Sequence, residues 1–114
     1  MFLDENTDCL NYSLDDSAAL VGISTEVFTK IFVKYVNGLE EKINNLENFI
    51  INNDFENISI LAHTLKGSSG NMNVIQLYNL FRAIELSSKE KKQTKYENEL
   101  ITIHKIHKLL KKII

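Results

Sequence analysis

Proline is absent from this chain, and glycine occurs only as Gly22, Gly38, Gly67 and Gly70. These are the two strongest breakers of helix, so their scarcity favours an all-α chain. The 114 residues are enough to close one hydrophobic core and short for two. No internal repeat, low-complexity tract or flexible linker marks a boundary. The expectation is a single unit, with residues 1–12 as a polar lead-in and 13–114 as a helical bundle.

The apolar spacing fills in the elements. A short helix is predicted over Leu14 to Val21, with Asp15 and Asp16 near its start and Gly22 as its stop. The next begins at Ser24 or Thr25 and reaches Asn52. Along it Phe28, Phe32, Tyr35, Leu39, Leu46 and Phe49 recur at steps that keep one stripe apolar, which makes the aromatic positions core. Asn52, Asn53 and Asp54 offer turn and capping side chains before a third helix carrying Phe55, Ile58, Leu61, Ala62 and Leu65, expected to run to about Gly70. A fourth carries Val74, Leu77, Phe81 and Ile84. The fifth carries Tyr96, Leu100, Ile103, Ile106 and Leu110, after a polar stretch from Ser87 to Thr94. Four long amphipathic helices with short connections predict an antiparallel up-down four-helix bundle with an additional short N-terminal helix.

The stretch Ala62-His63-Thr64-Leu65-Lys66-Gly67-Ser68-Ser69-Gly70-Asn71-Met72 carries the chemistry. Each residue turns a helix by about 100°, which puts His63 roughly 130° from the centre of the apolar cluster and so on the outward face. Its neighbours on that face are Ser59 one turn before, Lys66 and Gly67 one turn after, and Gly70 two turns after. Glycine inside a helix costs about 1 kcal/mol relative to alanine, so two of them near an exposed histidine need a reason other than helix stability. Small residues there let another protein's backbone approach the imidazole. Lys66 brings an ammonium within reach of an anion on the ring, the serine hydroxyls can donate hydrogen bonds, and Ile60 on the same outward half suits a docking surface. A lone exposed histidine is ordinarily a solvated surface residue; here its neighbours argue otherwise.

This run, followed by Leu77, Leu80 and Glu85, resembles the histidine phosphotransfer (HPt) domain of multistep two-component phosphorelays. The family pattern is His, two variable residues, Lys, Gly, small residues and a polar-apolar pair. His63, Lys66, Gly67, Ser68, Ser69, Asn71 and Met72 meet it, and the helix spacing extends the resemblance from about Asp15 to the C-terminus. Asn73 stands where the family usually has glycine; asparagine is the next best residue for a left-handed turn, so the corner is expected to persist.

The resemblance implies that His63 is a phosphoacceptor taking its phosphoryl group from a receiver-domain aspartate, or a kinase, and passing it to a response regulator. It further implies that Glu85 accepts a hydrogen bond from Nδ1, that Lys66 offsets phosphoryl charge, and that Ser59, Ile60, Gly67, Ser68 and Gly70 face the partner. The chain would be a phosphocarrier and not an enzyme, with no cofactor of its own and Mg2+ on the partner receiver domain. Its partners would be receiver domains and a hybrid histidine kinase, of which it could itself be a part, and monomer is the default state.

Other classes fit less well. A helical adaptor that docks receiver domains without carrying phosphate would not need His63. The phosphoacceptor hairpin of a histidine kinase usually has an acid after its histidine and a nearby proline, whereas Thr64 follows here. No glycine-rich nucleotide loop is present. With 25% charged residues and a net charge of -2, nucleic acid is not an expected partner. Cys9 stands alone, which fits a reducing cytosol, and Met1, Phe2, Leu3, Asp4 and Glu5 lack the basic start of a secretory signal. No run approaches the length of a membrane span, so a cytoplasmic location without direct membrane contact is expected. His104 and His107 are spaced as metal ligands can be but have no third or fourth ligand nearby, so a solvated or boundary position is expected for both, and the Lys105, Lys108, Lys111 and Lys112 end is read as dipole-favoured.

Overall fold

The computed structural model describes residues 3–4, 9–91 and 96–114. Its body is five helices: α1 (Leu14–Val21), α2 (Thr25–Ile51), α3 (Phe55–Asn71), α4 (Ile75–Lys89) and α5 (Glu97–Lys111). Short connections turn α2 into α3 and α3 into α4, so successive helices run antiparallel, while α2 and α4 each pack on α5 to close the ring. The all-α class and the bundle with a short N-terminal helix are as expected. The exception lies in the lead-in, where β1 (Leu3–Asp4) pairs antiparallel with β2 (Cys9–Leu10), Leu3 opposite Leu10 and Asp4 opposite Cys9. So short a pairing has no periodicity to announce it. The rest of the lead-in's N-terminal part, including Met1, Phe2 and Glu5, lies outside the described residues.

Local chemistry sets the boundaries. Ser13 and Ser24 cap α1 and α2 by accepting from the amides of Asp16 and Val27, and Asp54 caps α3 by accepting from that of Asn57. Gly22, at φ 81°, ends α1 in the left-handed region. The two long corners share one device. Asn53 at φ 52° and Asn73 at φ 59° turn the chain left-handed, and the next amide closes back, Asp54 N–H to the Phe49 carbonyl and Val74 N–H to that of Ser69, both at 2.9 Å. The corner expected to survive at Asn73 therefore does, and Asn73 Nδ2 also donates to Ser17 Oγ at 3.2 Å.

Phe28, Phe32, Val36, Leu39, Ile43, Leu46 and Ile50 form the buried stripe of α2, meeting Ile58, Ala62 and Leu65 from α3, Leu77, Phe81 and Ile84 from α4, and Ile103, Ile106 and Leu110 from α5. Each large apolar side chain contributes about 1.5–3 kcal/mol on burial. Tyr35, Phe49 and Leu61 sit at its margin, half-buried. Tyr12, at the end of the lead-in, stacks on Phe32 with ring centroids 5.2 Å apart and donates its hydroxyl to the Met72 carbonyl, tying the entry of the chain to the α3–α4 corner.

Two expectations need correcting. The first concerns where α4 ends: it continues past its expected apolar positions Val74 to Ile84 into the polar stretch, through Ser87, Ser88 and Lys89, with Ser88 buried and its hydroxyl returned to the Glu85 carbonyl at 2.7 Å. Residues 92–94 of it lie outside the described residues. His107 is buried, not at a solvated boundary, its Nε2 donating to the Val36 carbonyl at 3.1 Å. His104 stays exposed and pairs with Glu47.

Candidate functional site

α3 carries His63 near its middle with Ala62 and Leu65 fully buried on the opposite side, and the His63 side chain is 66% exposed. The outward position read from the wheel is the one observed. α4 packs alongside α3 and brings Glu85 beneath the ring: His63 Nδ1 lies 2.9 Å from Glu85 Oε2. A carboxylate can only accept, so Nδ1 carries the proton and Nε2 keeps its lone pair. Among the described residues Nε2 has no hydrogen-bond partner.

Glu85 is buried, at 4% exposure, and three groups converge on it. Lys66 Nζ is 2.8 Å from Oε1, and Lys89 Nζ is 3.2 Å from Oε2, the atom that also receives His63. Burial opposes ionisation of the carboxyl, but hydrogen bonds from Lys66, Lys89 and His63 outweigh it and bring the group from 4.5 down to about 2. Glu85 is therefore a fixed negative charge with two ammonium groups beside it. Lys89 was missed by the sequence reading; its signal was the four-residue spacing from Glu85 along one helix face.

Ser59 and Ser68 are half-buried on α3, and Ile60 is 58% exposed, so an apolar side chain does stand on the outward half next to His63. Ser68 Oγ is committed to the Leu65 carbonyl at 3.1 Å. Ser69 is fully buried and meets the Tyr35 hydroxyl at 2.7 Å, so of the motif's two serines it serves the core, and burial pushes the Tyr35 phenol above its usual value. The two glycines also differ. A Cβ on Gly67 would meet nothing within 4 Å, whereas one on Gly70 would lie 3.2 Å from Tyr78 Cδ2, so Gly70 lets α4 approach α3.

Among the described residues no group of three His, Cys, Asp or Glu could hold a metal ion, and no helix is long and apolar enough to cross a membrane. A cleft of about 440 Å³ lies between the end of α2 and the start of α5, walled by Glu47, Ile50, Ile51, Asn53, Glu97 and Leu100; His63 is not among its walls.

A helical bundle that presents an exposed imidazole in contact with a buried carboxylate and bordered by small residues has the form of a carrier of a group on histidine. The family model for the Hpt domain matches residues 30–113, and the chain belongs to that family. Hpt domains are phosphocarrier modules of histidine phosphotransfer in phosphorelay signalling and interact with receiver domains and kinases. No curated protein and no solved structure matches the chain.

Proposed function

We propose that His63 Nε2 accepts a phosphoryl group from a receiver-domain aspartyl phosphate and returns it to the aspartate of a second receiver. The observation that carries this reading is the 2.9 Å contact from Nδ1 to Glu85, which leaves the Nε2 lone pair facing outward on an exposed ring. The Nε2 lone pair attacks phosphorus, the P–O bond breaks, and its electron pair returns to the aspartate carboxylate. Glu85 holds the ring in the tautomer and orientation required, and Lys66, within reach through its contact on Glu85, offsets charge on the arriving group.

Ile60, Ser59 and Gly67 surround the ring with a surface a receiver can cover, and Gly67 gives its backbone room. The Glu85 carboxylate beside His63 is engaged by Lys66 and Lys89, a donor set that does not suit a metal. Magnesium is accordingly assigned to the receiver.

The test is incubation with a phosphorylated receiver, followed by assay for acid-labile, base-stable phosphate. Wild type should label and His63→Gln should not. Equal labelling of both would overturn the assignment, and receiver binding without label on either would favour a docking adaptor.

A further inference from the structure

The solvent face of α5 changes sign along its length. Glu97, Ile101, Lys105, Lys108 and Lys112 follow one another at steps of three and four, so they share one stripe. Its start is acidic and its end basic, which the helix dipole favours. The dipole does not account for the apolar surface beside these charges. Ile101 is 66% exposed, and Ile51, at the end of α2, is 76% exposed on the wall of the cleft that Glu47, Glu97 and Leu100 also line. Toward the other end of the helix, Lys105, Lys108 and Lys112 surround Leu109 in a second hollow of about 180 Å³. One helix thus carries an apolar cleft rimmed by carboxylates and an apolar hollow rimmed by ammonium groups.

The charges of this stripe are not used up within the chain. His104 meets Glu47 and Lys111 meets Glu40, both on α2. Among the described residues Glu97, Lys108 and Lys112 have no ion-pair partner. The surface that would complement them is their own, in reverse order.

We propose that α5 pairs antiparallel with α5 of a second copy of this chain. A two-fold axis passing between His104 and Lys105 sets Glu97 opposite Lys112 of the second copy and Ile101 opposite its Lys108, and each contact then occurs twice. The stem of Lys108 covers Ile101 while its ammonium stays in water, and Lys112 meets the carboxylate of Glu97 at the cleft. At the axis Lys105 faces the His104–Glu47 pair, which supplies a carboxylate. Parallel pairing would set lysine against lysine, and a head-to-tail arrangement would grow as an open chain. α2 and α4 stand between α5 and α3, so the pair leaves both His63 faces open. Two single helices in contact cover less than the about 1,200 Å² of a stable interface, so the dimer is weak, with a dissociation constant on the order of 0.1–1 mM.

Sedimentation equilibrium of the full chain, at concentrations up to about 1 mM, reads the association. The mass should rise toward twice that of the monomer and no further, and raising salt from about 20 mM to about 0.5 M should weaken the pair tenfold or more. A chain that stays monomeric at low salt, association that ignores salt, or masses that climb past the dimer overturn the proposal. Glu97→Lys and Lys112→Glu should each weaken self-association about tenfold or more, because each sets like charges opposite one another. Mixed in equal amounts, the two variants should associate as wild type does. The introduced lysine of one then meets the introduced glutamate of the other, and the native pair re-forms at the second contact. A mixture that stays monomeric overturns the proposal. Ile101→Ser, at an exposed side chain, serves if a reversed variant does not fold: it should weaken association about tenfold, and an unchanged constant overturns the proposal. On dilution, backbone amide NMR shifts should be confined to α5 and the end of α2; shifts centred on His63 would place the contact on the opposite face and overturn it.

Discussion

The Tyr35 hydroxyl on α2 meets the Ser69 hydroxyl on α3 at 2.7 Å, with Ser69 fully buried less than two turns beyond His63. This contact fixes α3 against the longest helix and so sets the height at which the histidine stands. Removing one partner strands a buried hydroxyl, so Tyr35→Phe and Ser69→Ala should each cost about 1–2 kcal/mol in urea unfolding. The double variant should cost clearly less than the sum of the two. Additive losses would mean that the hydroxyls do not depend on each other.

Gly67 and Gly70 should part company when replaced. Space is open at Gly67, so Gly67→Ala should raise stability by about 1 kcal/mol through helix propensity alone. On the proposed function, Gly67→Leu should keep the helical circular dichroism yet slow transfer to a receiver by tenfold or more, because the new side chain would stand in the open space assigned to the partner. Gly70→Ala gains the same propensity but presses Tyr78 at 3.2 Å, so its net change should be near zero. Transfer unaffected by Gly67→Leu would remove the steric role of that glycine.

Glu85 should leave a mark on acid stability. Its folded carboxyl is held at about 2 against 4.5, so the ionised form stabilises the fold fully above 4.5 and loses that contribution as pH falls toward 2. Lys89 and His63 are well exposed, which screens the effect to about 1–2 kcal/mol. Urea unfolding between about pH 5 and pH 2 should show wild type losing that much more than Glu85→Gln. Parallel losses would show that the carboxylate gains nothing from its lysines.

The helices were legible because their signals are local: caps at Ser13, Ser24 and Asp54, a stop at Gly22, and a clean apolar stripe on α2. His63 was legible for the same reason, since one helix fixes its direction. Its surroundings were less so. Which serine of the motif turns inward depends on Tyr35, which is 34 residues away, and the contact that explains Gly70 comes from Tyr78 across the corner. Lys89 joins the site because α4 packs beside α3 at one particular rotation, and the Leu3–Leu10 pairing is too short to imprint a pattern. The amphipathic period says that a helix is buried on one side; it does not say against which residue.

His107 shows what that gap conceals. On α5 it reads as one of two histidines in a lysine-rich segment, yet it is buried, at 5% exposure, with Nε2 donating to the Val36 carbonyl of α2. Burial disfavours the imidazolium and, although the Val36 carbonyl and Glu40 favour it, holds His107 below its usual 6.5, with Lys111 and His104 adding to the depression. The folded chain therefore prefers the ring neutral, whereas the unfolded chain takes up a proton near 6.5. Stability from this residue is complete above that value and is lost as pH falls below it, a loss that begins at higher pH than that of Glu85. The urea midpoint should decline from about pH 7 to pH 5 in wild type. His107→Gln keeps a donor for the Val36 carbonyl but cannot take up the proton, so its midpoint should decline less over the same range. Curves of equal slope for the two proteins would refute the assignment of this pH dependence to His107.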